Sequence, residues 1–399
     1  MKKILSMTLV LLLLALVGCT TPENKLPDLK EDTKVEMTPE EKATFLQSVV
    51  ELTTTDTNNF RFDSFIDLEF AATSEMSFNM EGMSMENDMT ITFDVDFDQT
   101  NYVSIADTVE DTFLYATYNT FEVDVFYSEY SAMSFDGQSE LTDRESKANI
   151  SLTDTFMLIN SDYGYFNLNG SAITEVKDNG QIVTGETTNE TYADVKEKTL
   201  EGRLTQEMHQ ELMMMLEELQ ASLTTSLSLD LTEEERDELY DYLDKYVSIY
   251  SENNTHTLRI NITSQMVNDL MDEVFESIES ELPAEELEAF TQVKTAVLSA
   301  LKSFDFDFRI ILEGELEGEK AIKRMEFMVT GEFRGFTLDT ADFNEESMPM
   351  VIELTVKLNK FGFNIDFDAD SLELPAQAEL DTFEVVEEPS FSNVFNIFF

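Results

Sequence analysis

Residues 60–70 have the sequence FRFDSFIDLEF, in which apolar residues largely alternate with charged ones. Residues 89–97, MTITFDVDF, and residues 121–127, FEVDVFY, repeat the alternation. An extended chain with this period places its apolar side chains on one face and its carboxylates on the other, which is typical of antiparallel sheet with one wet face. The chain from about residue 60 to 185 is therefore predicted to form a long antiparallel meander.

Helical periodicity lies on both sides of this meander. Residues 38–41, TPEE, have the pattern of a capping box and predict a helix that ends near Thr54. Apolar residues at three- and four-residue spacing return over 205–250 and again over 266–301. A short strand is predicted between these two helical stretches, at residues 258–262.

Alternating segments return in the last quarter of the chain, at residues 304–312, 327–333, 352–358 and 361–367. The predicted fold class is α+β, with antiparallel, strongly curved meander sheets packed against amphipathic helices. The order of the segments is compatible with one half-barrel or with a duplicated half-barrel.

The domain organisation follows from the same order of segments. Residues 1–18 are predicted to be a lipoprotein signal peptide and 19–37 a flexible tether. Residues 38–202 then form an amino-terminal helix with the first meander, and residues 203–399 a helical segment with the second. One large domain over 38–399 is the alternative.

Composition limits the classes of function. The 399 residues include 82 acidic and 25 basic ones, for a formal net charge of −57, while 42% of them are hydrophobic. That apolar content is too high for a disordered acidic chain and requires a buried core. A field of this sign repels phosphate backbones, so nucleic acid is not an expected partner.

The amino terminus has the features of a secretory signal. Lys2 and Lys3 precede an almost unbroken apolar run over residues 4–17. As a helix this run would span about 21 Å, which is too short for a bilayer core of about 30 Å. It is therefore predicted to be a targeting segment.

Residues 16–19, LVGC, resemble the lipobox of bacterial lipoproteins, with Leu16 at the apolar position, Gly18 at the small one and Cys19 at the lipid-accepting one. The resemblance implies signal cleavage after Gly18, acylation of Cys19, and attachment to the cell membrane on its extracytoplasmic side. Cys19 is the only cysteine of the chain, so an intramolecular disulfide is excluded.

Sequence motifs for catalysis or for a cofactor are missing, and we expect no enzymatic activity, no cofactor and no metal site. His209 and His256 are the only histidines. Asp366, Asp368 and Asp370 have the first ligand spacings of an EF-hand loop, but the glycine and the final glutamate of that loop are absent.

Met80, Met83, Met85 and Met89, followed by Phe93, form a dense methionine cluster and are the candidate ligand-binding residues. Methionine adapts to apolar ligands of varied shape, so these residues are predicted to contact an apolar molecule. Thioethers also select Cu(I), and simple packing across a turn at residues 81–82 is a further interpretation.

The layout of lipobox, amino-terminal helix, Phe- and Met-rich meander, central helices and closing meander resembles the LolA/LppX-like lipoprotein group. The resemblance covers about residues 38–385 and implies a sheet curved into a half-barrel and closed by helices over a cavity for lipid. The expected function is a membrane-anchored, extracytoplasmic lipoprotein that binds a lipid or other apolar ligand on a concave sheet face. The alternative is an acidic structural or adhesive surface lipoprotein without a pocket.

The carboxyl terminus is unusually apolar. Residues 387–389, EEP, are followed by residues 391–399, FSNVFNIFF. Chain ends are usually polar and frayed, so this tail is predicted to dock into the sheet face or a helix groove.

Overall fold

A computed structural model describes residues 26–50, 59–80, 83–135, 138–214, 233–279, 283, 287–316, 320–339, 350–367 and 374–390. The predicted signal peptide, Cys19 and the apolar tail over residues 391–399 lie outside this part of the chain.

Within the described residues, strands from both ends and from the middle of the chain form one 15-stranded sheet. The strands are β1 (Lys34–Val35), β2 (Asn59–Met80), β3 (Met83–Ser104), β4 (Phe113–Phe135), β5 (Gln138–Leu152), β6 (Thr155–Ile159), β7 (Gly164–Asp178), β8 (Gln181–Ile182), β9 (Thr188–Thr199), β10 (Val247–Glu252), β11 (Thr255–Thr263), β12 (Leu301–Gly314), β13 (Lys320–Asp339), β14 (Met350–Asp366) and β15 (Glu384–Val385).

The strand order is β1-β10-β11-β12-β13-β14-β2-β3-β4-β5-β7-β9-β15, with β6 paired to β4 and β7, and β8 paired to β7. Neighbouring strands are antiparallel, apart from the short parallel pairing of β15 with β9. The α+β class with a predominantly antiparallel sheet is therefore confirmed.

The two predicted halves of the chain meet where β14 pairs with β2, from Met350 opposite Met76 to Asp366 opposite Arg61. This seam is longer than the β12–β13 and β13–β14 pairings and shorter than the β2–β3 and β3–β4 pairings. The division near residue 202 and the single-domain alternative both stay predictions.

The described helices are α1 (Pro39–Val50), α2 (206–214), α3 (Glu233–Tyr246), α4 (Ser264–Glu279), α5 (Leu287–Ala300) and the single turn α6 (Gln377–Leu380). The capping box of α1 is confirmed. The backbone N–H of Thr38 donates to Glu41 Oε2 at 2.7 Å, and the N–H of Glu41 donates to Thr38 Oγ1 at 3.3 Å.

The sheet has an apolar face, which carries Leu68, Phe93 and Phe304, and a charged face, which carries Glu69, Asp94 and Asp307. Four helices pack on the apolar face of β10 to β14. Helices α4 and α5 cover a core cluster with Val329, Phe333 and Leu358, and α1 and α3 cover a second one with Ile249, Leu258 and Leu312. The two clusters join the helices to one half of the sheet.

Two sequence predictions about element boundaries were wrong. Helical periodicity was expected to continue to about Tyr250, but α3 ends at Tyr246 and Val247 begins β10, where it pairs with Ile260. Residues 352–358 and 361–367 were expected to be separate strands, but they form the single strand β14. A β-bulge at Asn359 shifts the alternation by one residue, which in the sequence resembles a break between two strands.

The predicted tether is shorter than expected. Lys34 and Val35 pair with Tyr250 and Ile249 at the edge of the sheet, and Leu26 is already buried. Arg309 Nη1 donates to the carbonyl oxygen of Pro27 at 2.7 Å. Residues 26–37 are therefore attached to the sheet, and only residues 19–25 are left of the predicted tether.

The contact at Pro27 belongs to a buried ionic network on the charged face. Asp307 is 6% exposed and accepts paired hydrogen bonds from Arg309, at 3.1 and 2.7 Å, and from Arg259, at 3.0 and 2.9 Å. Arg309 itself is 3% exposed. One carboxylate thus pairs with the buried guanidinium of Arg309 and with the partly exposed one of Arg259, and its loss would leave both without their main partner.

Asp307→Asn is expected to lower the free energy of unfolding by about 3 kcal/mol, because it leaves buried positive charge uncompensated. Glu186→Gln is the matched control, since the Arg144–Glu186 pair is half exposed on both sides and such pairs contribute less than about 1 kcal/mol. Chemical denaturation of both variants measures the difference. Equal losses would contradict the assignment of this network as a stabilising centre.

Candidate functional site

The apolar face continues from the helix-covered strands onto the centre of the sheet. Leu358, Leu68, Val95, Val123 and Ile150 are direct neighbours on β14, β2, β3, β4 and β5. This row contains no polar side chain. It crosses five strands that lie about 4.8 Å apart, so its length is close to 20 Å.

Parallel rows widen this surface on both sides. Val356, Phe70, Phe93 and Val125 form one of them on β14, β2, β3 and β4. On the other side, Ile66, Phe97, Phe121 and Leu152 are neighbours on β2 to β5. The rings of Phe97 and Phe121 meet edge to face, with centroids 6.0 Å apart. Together the rows form a surface of aromatic and branched side chains.

The helix layer reaches only part of this surface. The core cluster under α4 and α5 extends to Leu68 and Phe70 on β2. On the next strand, Phe93, Val95 and Phe97 are each only half-buried. The apolar face thus has buried residues beneath the helices on β12 to β14 and is only partly buried on β2 and β3.

The predicted methionine cluster lies on this apolar face but does not form one compact site. Met83, Met85, Met89 and Phe93 are in the same phase on β3, and Met80, the last residue of β2, pairs with Met83. Because a strand rises by about 3.4 Å per residue, Met83 and Phe93 are separated by about 34 Å. Phe93 therefore belongs to the centre of the sheet, and Met83 to its tip.

At the tip, the sheet register adds residues that the sequence analysis missed. Met133 is opposite Met85, and Phe135 is opposite Met83. Met133 and Phe135 are exposed and line a surface depression of about 540 Å³ together with Gln138, Ser139 and Glu140. Met133 and Phe135, which flank Ser134 directly before the Asp-Gly sequence at 136–137, were the signal that could have identified this hairpin tip.

The charged face carries rows of carboxylates behind the same strands. Glu69 is opposite Asp94, which is opposite Asp124, and a second row contains Asp67, Asp96 and Glu122. Partial burial, followed by the charges of Glu69 and Asp124, raises the pKa of Asp94. Like charges directly opposite each other destabilise a sheet.

A lysine and two asparagine amides contact the ends of these rows. Lys357 forms an ion pair with Glu69, and the hydrogen bond from Lys357 lowers the pKa of that carboxyl. Asn359 Nδ2 donates to Asp67 at 2.7 Å and to Glu69 at 3.1 Å, and Asn149 Nδ2 donates to Asp124 at 2.8 Å. Within the described ranges, no group of three or more His, Cys, Asp or Glu side chains is arranged to hold a metal ion.

Both histidines are buried and hydrogen-bonded to structural groups. Nε2 of His209 is 2.9 Å from the carbonyl oxygen of Ala106. In His256, Nε2 is 2.9 Å from the carbonyl oxygen of Gly314, and Nδ1 is 3.0 Å from Ser251 Oγ. These contacts join α2 to the β3–β4 loop and the β10–β11 hairpin to the end of β12.

No family model, curated protein or solved structure matches this chain. Among the helices in the described part of the chain, none is long and apolar enough to cross a membrane.

Asp94→Asn is expected to raise the melting temperature at neutral pH, by on the order of 1 °C. The raised pKa means that Asp94 binds its proton more tightly in the folded chain than in the unfolded one. Ionisation of this carboxyl as the pH rises therefore lowers the free energy of unfolding. The gain should disappear below about pH 4, where the carboxyl is protonated in both states.

Glu110→Gln, in the loop before β4, removes the same charge away from the carboxylate rows and is the control. Thermal melts of both variants between pH 3 and pH 7 make the comparison. A destabilised Asp94→Asn variant at neutral pH would show that local repulsion is not the dominant effect.

Proposed function

We propose that this protein is a membrane-anchored, extracytoplasmic lipoprotein that binds a lipid or other apolar ligand on the apolar face of its sheet, without catalysis. The observation that carries the proposal is the incomplete cover of Phe93, Val95 and Phe97 beside a helix layer that stops at β2. Soluble proteins rarely leave a contiguous apolar surface of this width without an occupant.

The chemistry of the surface defines the class of ligand. The rows through Val95 and Phe93 offer hydrocarbon and aromatic contacts and no hydrogen-bonding side chain. The carboxylates of the same strands are on the opposite face, so they do not contact a molecule on the apolar one. A ligand with a long apolar body and few polar groups fits this surface, and a curvature of the sheet into a half-barrel would enclose it.

The anchor is proposed to be acylated Cys19. With Leu26 and Pro27 attached to the sheet, the seven residues 19–25 can extend by about 25 Å at most. The body would therefore stay close to the membrane surface, and the apolar face would be within reach of molecules that leave the bilayer.

An acidic structural or adhesive lipoprotein is the second candidate. The rows of carboxylates on the charged face and the exposed Met133, Phe135 and Leu141 near one hairpin tip favour it. In that case the apolar face would be closed by the protein itself and would have no separate ligand.

Ligand binding is tested by a matched pair of substitutions on adjacent residues of β3, Val95→Gln on the apolar face and Asp94→Gln on the charged face. Native mass spectrometry of the wild-type protein should show a copurifying lipid-like mass. Val95→Gln should reduce its occupancy or weaken binding of a fluorescent fatty acid at least fivefold, because a buried amide costs about 1–3 kcal/mol.

Asp94→Gln should retain the wild-type occupancy. A wild-type protein that carries no such mass and does not bind the fluorescent fatty acid would favour the structural alternative.

Cys19→Ser tests the anchor. The variant cannot accept acyl chains, so it should be found in the soluble secreted fraction or as an uncleaved precursor held by its signal segment. Cell fractionation and intact-mass measurement give the result. A variant that is still cleaved before residue 19 and still carries acyl chains would show that the lipobox interpretation is wrong.

A further inference from the structure

The last described residues follow a path around one edge of the sheet. On the charged face, Leu380 of α6 and Phe383 pack against Leu158 and Tyr165 in a small core cluster. The ring of Phe383 is 5.7 Å from that of Tyr165. The segment that precedes the apolar tail is therefore fixed to the charged face.

The chain then reaches the outer strand. Glu384 and Val385 pair in parallel with Glu197 and Lys198 of β9. The N–H of Val386 donates to the carbonyl oxygen of Lys198 at 3.0 Å. This pairing places the chain along the edge of β9.

The contacts of Ser390 show that the chain continues around this edge. Its N–H donates to Glu197 Oε2 at 2.6 Å, and its hydroxyl is 2.8 Å from Oε1 of the same side chain. Glu197 is two residues from Val195 on β9, so both side chains are on the same face. Val195 packs with Leu168 on the apolar face. The next side chain, that of Lys198, is on the charged face, where its Nζ donates to the carbonyl oxygen of Leu380. Between Leu380 and Ser390 the chain thus passes from the charged to the apolar face.

The apolar face next to this crossing is completely buried. Ile150, Leu152 and Ala172 are 0% exposed, and Leu168 is 1% exposed. Among the described residues, the partly buried hydrophobic neighbours of this cluster are Phe121, Tyr192 and Val195, which all belong to the sheet itself. Side chains of one sheet stand side by side and do not cover each other from above, so this burial requires a further layer.

We propose that the apolar tail, residues 391–399, is the layer that covers Ile150, Leu152 and Leu168. The tail contains no charged residue, and six of its nine residues are Phe, Val or Ile. Nine extended residues reach about 30 Å, whereas β9 and β4 are three strand spacings, or about 14 Å, apart. The tail can therefore cross β7 and β5 and contact Phe121.

This inference is independent of ligand binding, since it rests on the path of the chain and on the buried cluster. It divides the apolar face into three parts. The helices cover β10 to β14, the tail covers β4 to β9, and the surface around Phe93 on β3 lies between them. The apolar face of β4 to β9 is thus covered by the chain itself and not by a second copy or a ligand.

Fluorescence gives a direct test, because the chain has no tryptophan and only one cysteine. Phe395→Trp in the full chain with Cys19→Ser provides a single tryptophan, whose emission is excited selectively above the absorption of the tyrosines. A nitroxide is attached at Ala148→Cys, on the apolar face of β5, or at the adjacent Asn149→Cys, on the charged face. The proposal predicts blue-shifted emission that is quenched at least twice as strongly by the label at 148 as by the label at 149.

Emission typical of water-exposed tryptophan, or equal quenching from both labels, would overturn the proposal. A mixture of tryptophan-only and label-only chains separates the rival occupants. Quenching in that mixture would show that the tail binds a second copy, and its absence supports docking within one chain.

A stability measurement supplements the quenching. The full chain with Phe395→Asp should melt on the order of 5 °C lower than the wild type, and truncation after Ser390 should have at least the same effect. Ser392→Asp adds the same charge at a polar position of the tail and is expected to melt near the wild type. Unchanged melting of both the truncated chain and Phe395→Asp would show that the tail does not cover the cluster.

Discussion

Successive side chains of a β-strand point to opposite faces, and the strands of this protein are long enough for that rule to control the whole molecule. Strand β2 pairs with β3 without a break from Asn59 to Met80. A slip of β3 by one residue against β2 would put Asp94 on the same face as Leu68, and Phe93 on the same face as Glu69. The free energy of that exchange fixes the register of the central sheet.

Bulges correct the alternation where the sequence departs from it. Asn359 is the extra residue between Leu358 and Lys360, so Val356 and Phe361 lie on the same face although their spacing is odd. The displaced Asn359 side chain then donates to Asp67 and Glu69 on the charged face. One residue thus keeps the apolar side chains of β14 on one face and also donates hydrogen bonds to two carboxylates on the opposite face.

The side chains of the charged face differ between the part that is open to solvent and the parts that other segments of the chain cover. Over β2 to β4 it carries rows of carboxylates at a density that the sheet tolerates because water and salt ions screen partly exposed charges. Where residues 26 and 27 cover β12, the carboxylate of Asp307 is instead paired with two arginines. Where α6 covers β6 and β7, aromatic side chains such as Tyr165 replace the charges.

The sequence alone predicts much of this architecture, because alternation and capping are local signals. The helix that begins at Thr38, the strand around Phe60 and the α+β class all follow from patterns within about ten residues. The ion pairs of Asp307 and the neighbourhood of Met85 and Met133 depend on which strands are adjacent, and that order is set by long-range pairing. No local pattern contains this information.

Boundaries between elements were the other source of error, and the end of α3 and the strand β1 each show a physical reason. The segment after Tyr246 contains Val247 and Ile249, whose β-branched side chains favour a strand although their spacing also fits the preceding helix. Strand β1 consists only of the polar Lys34 and the apolar Val35, which form two pairs with β10. A strand this short has no periodicity to detect.

The two ends of the sheet are closed in the same manner. A long exposed edge strand is a template for association with other chains. Here the outermost strands are β1 and β15, each of two residues, and they come from opposite ends of the described chain. Each one covers only part of its neighbour, since β1 pairs with two residues of β10 and β15 with two residues of the longer β9. The uncovered part of β9 carries Glu190, Asp194 and Lys196, and charged side chains on an edge oppose the addition of a further strand. The apolar surface with incomplete cover is instead on a face of the sheet, around Phe93.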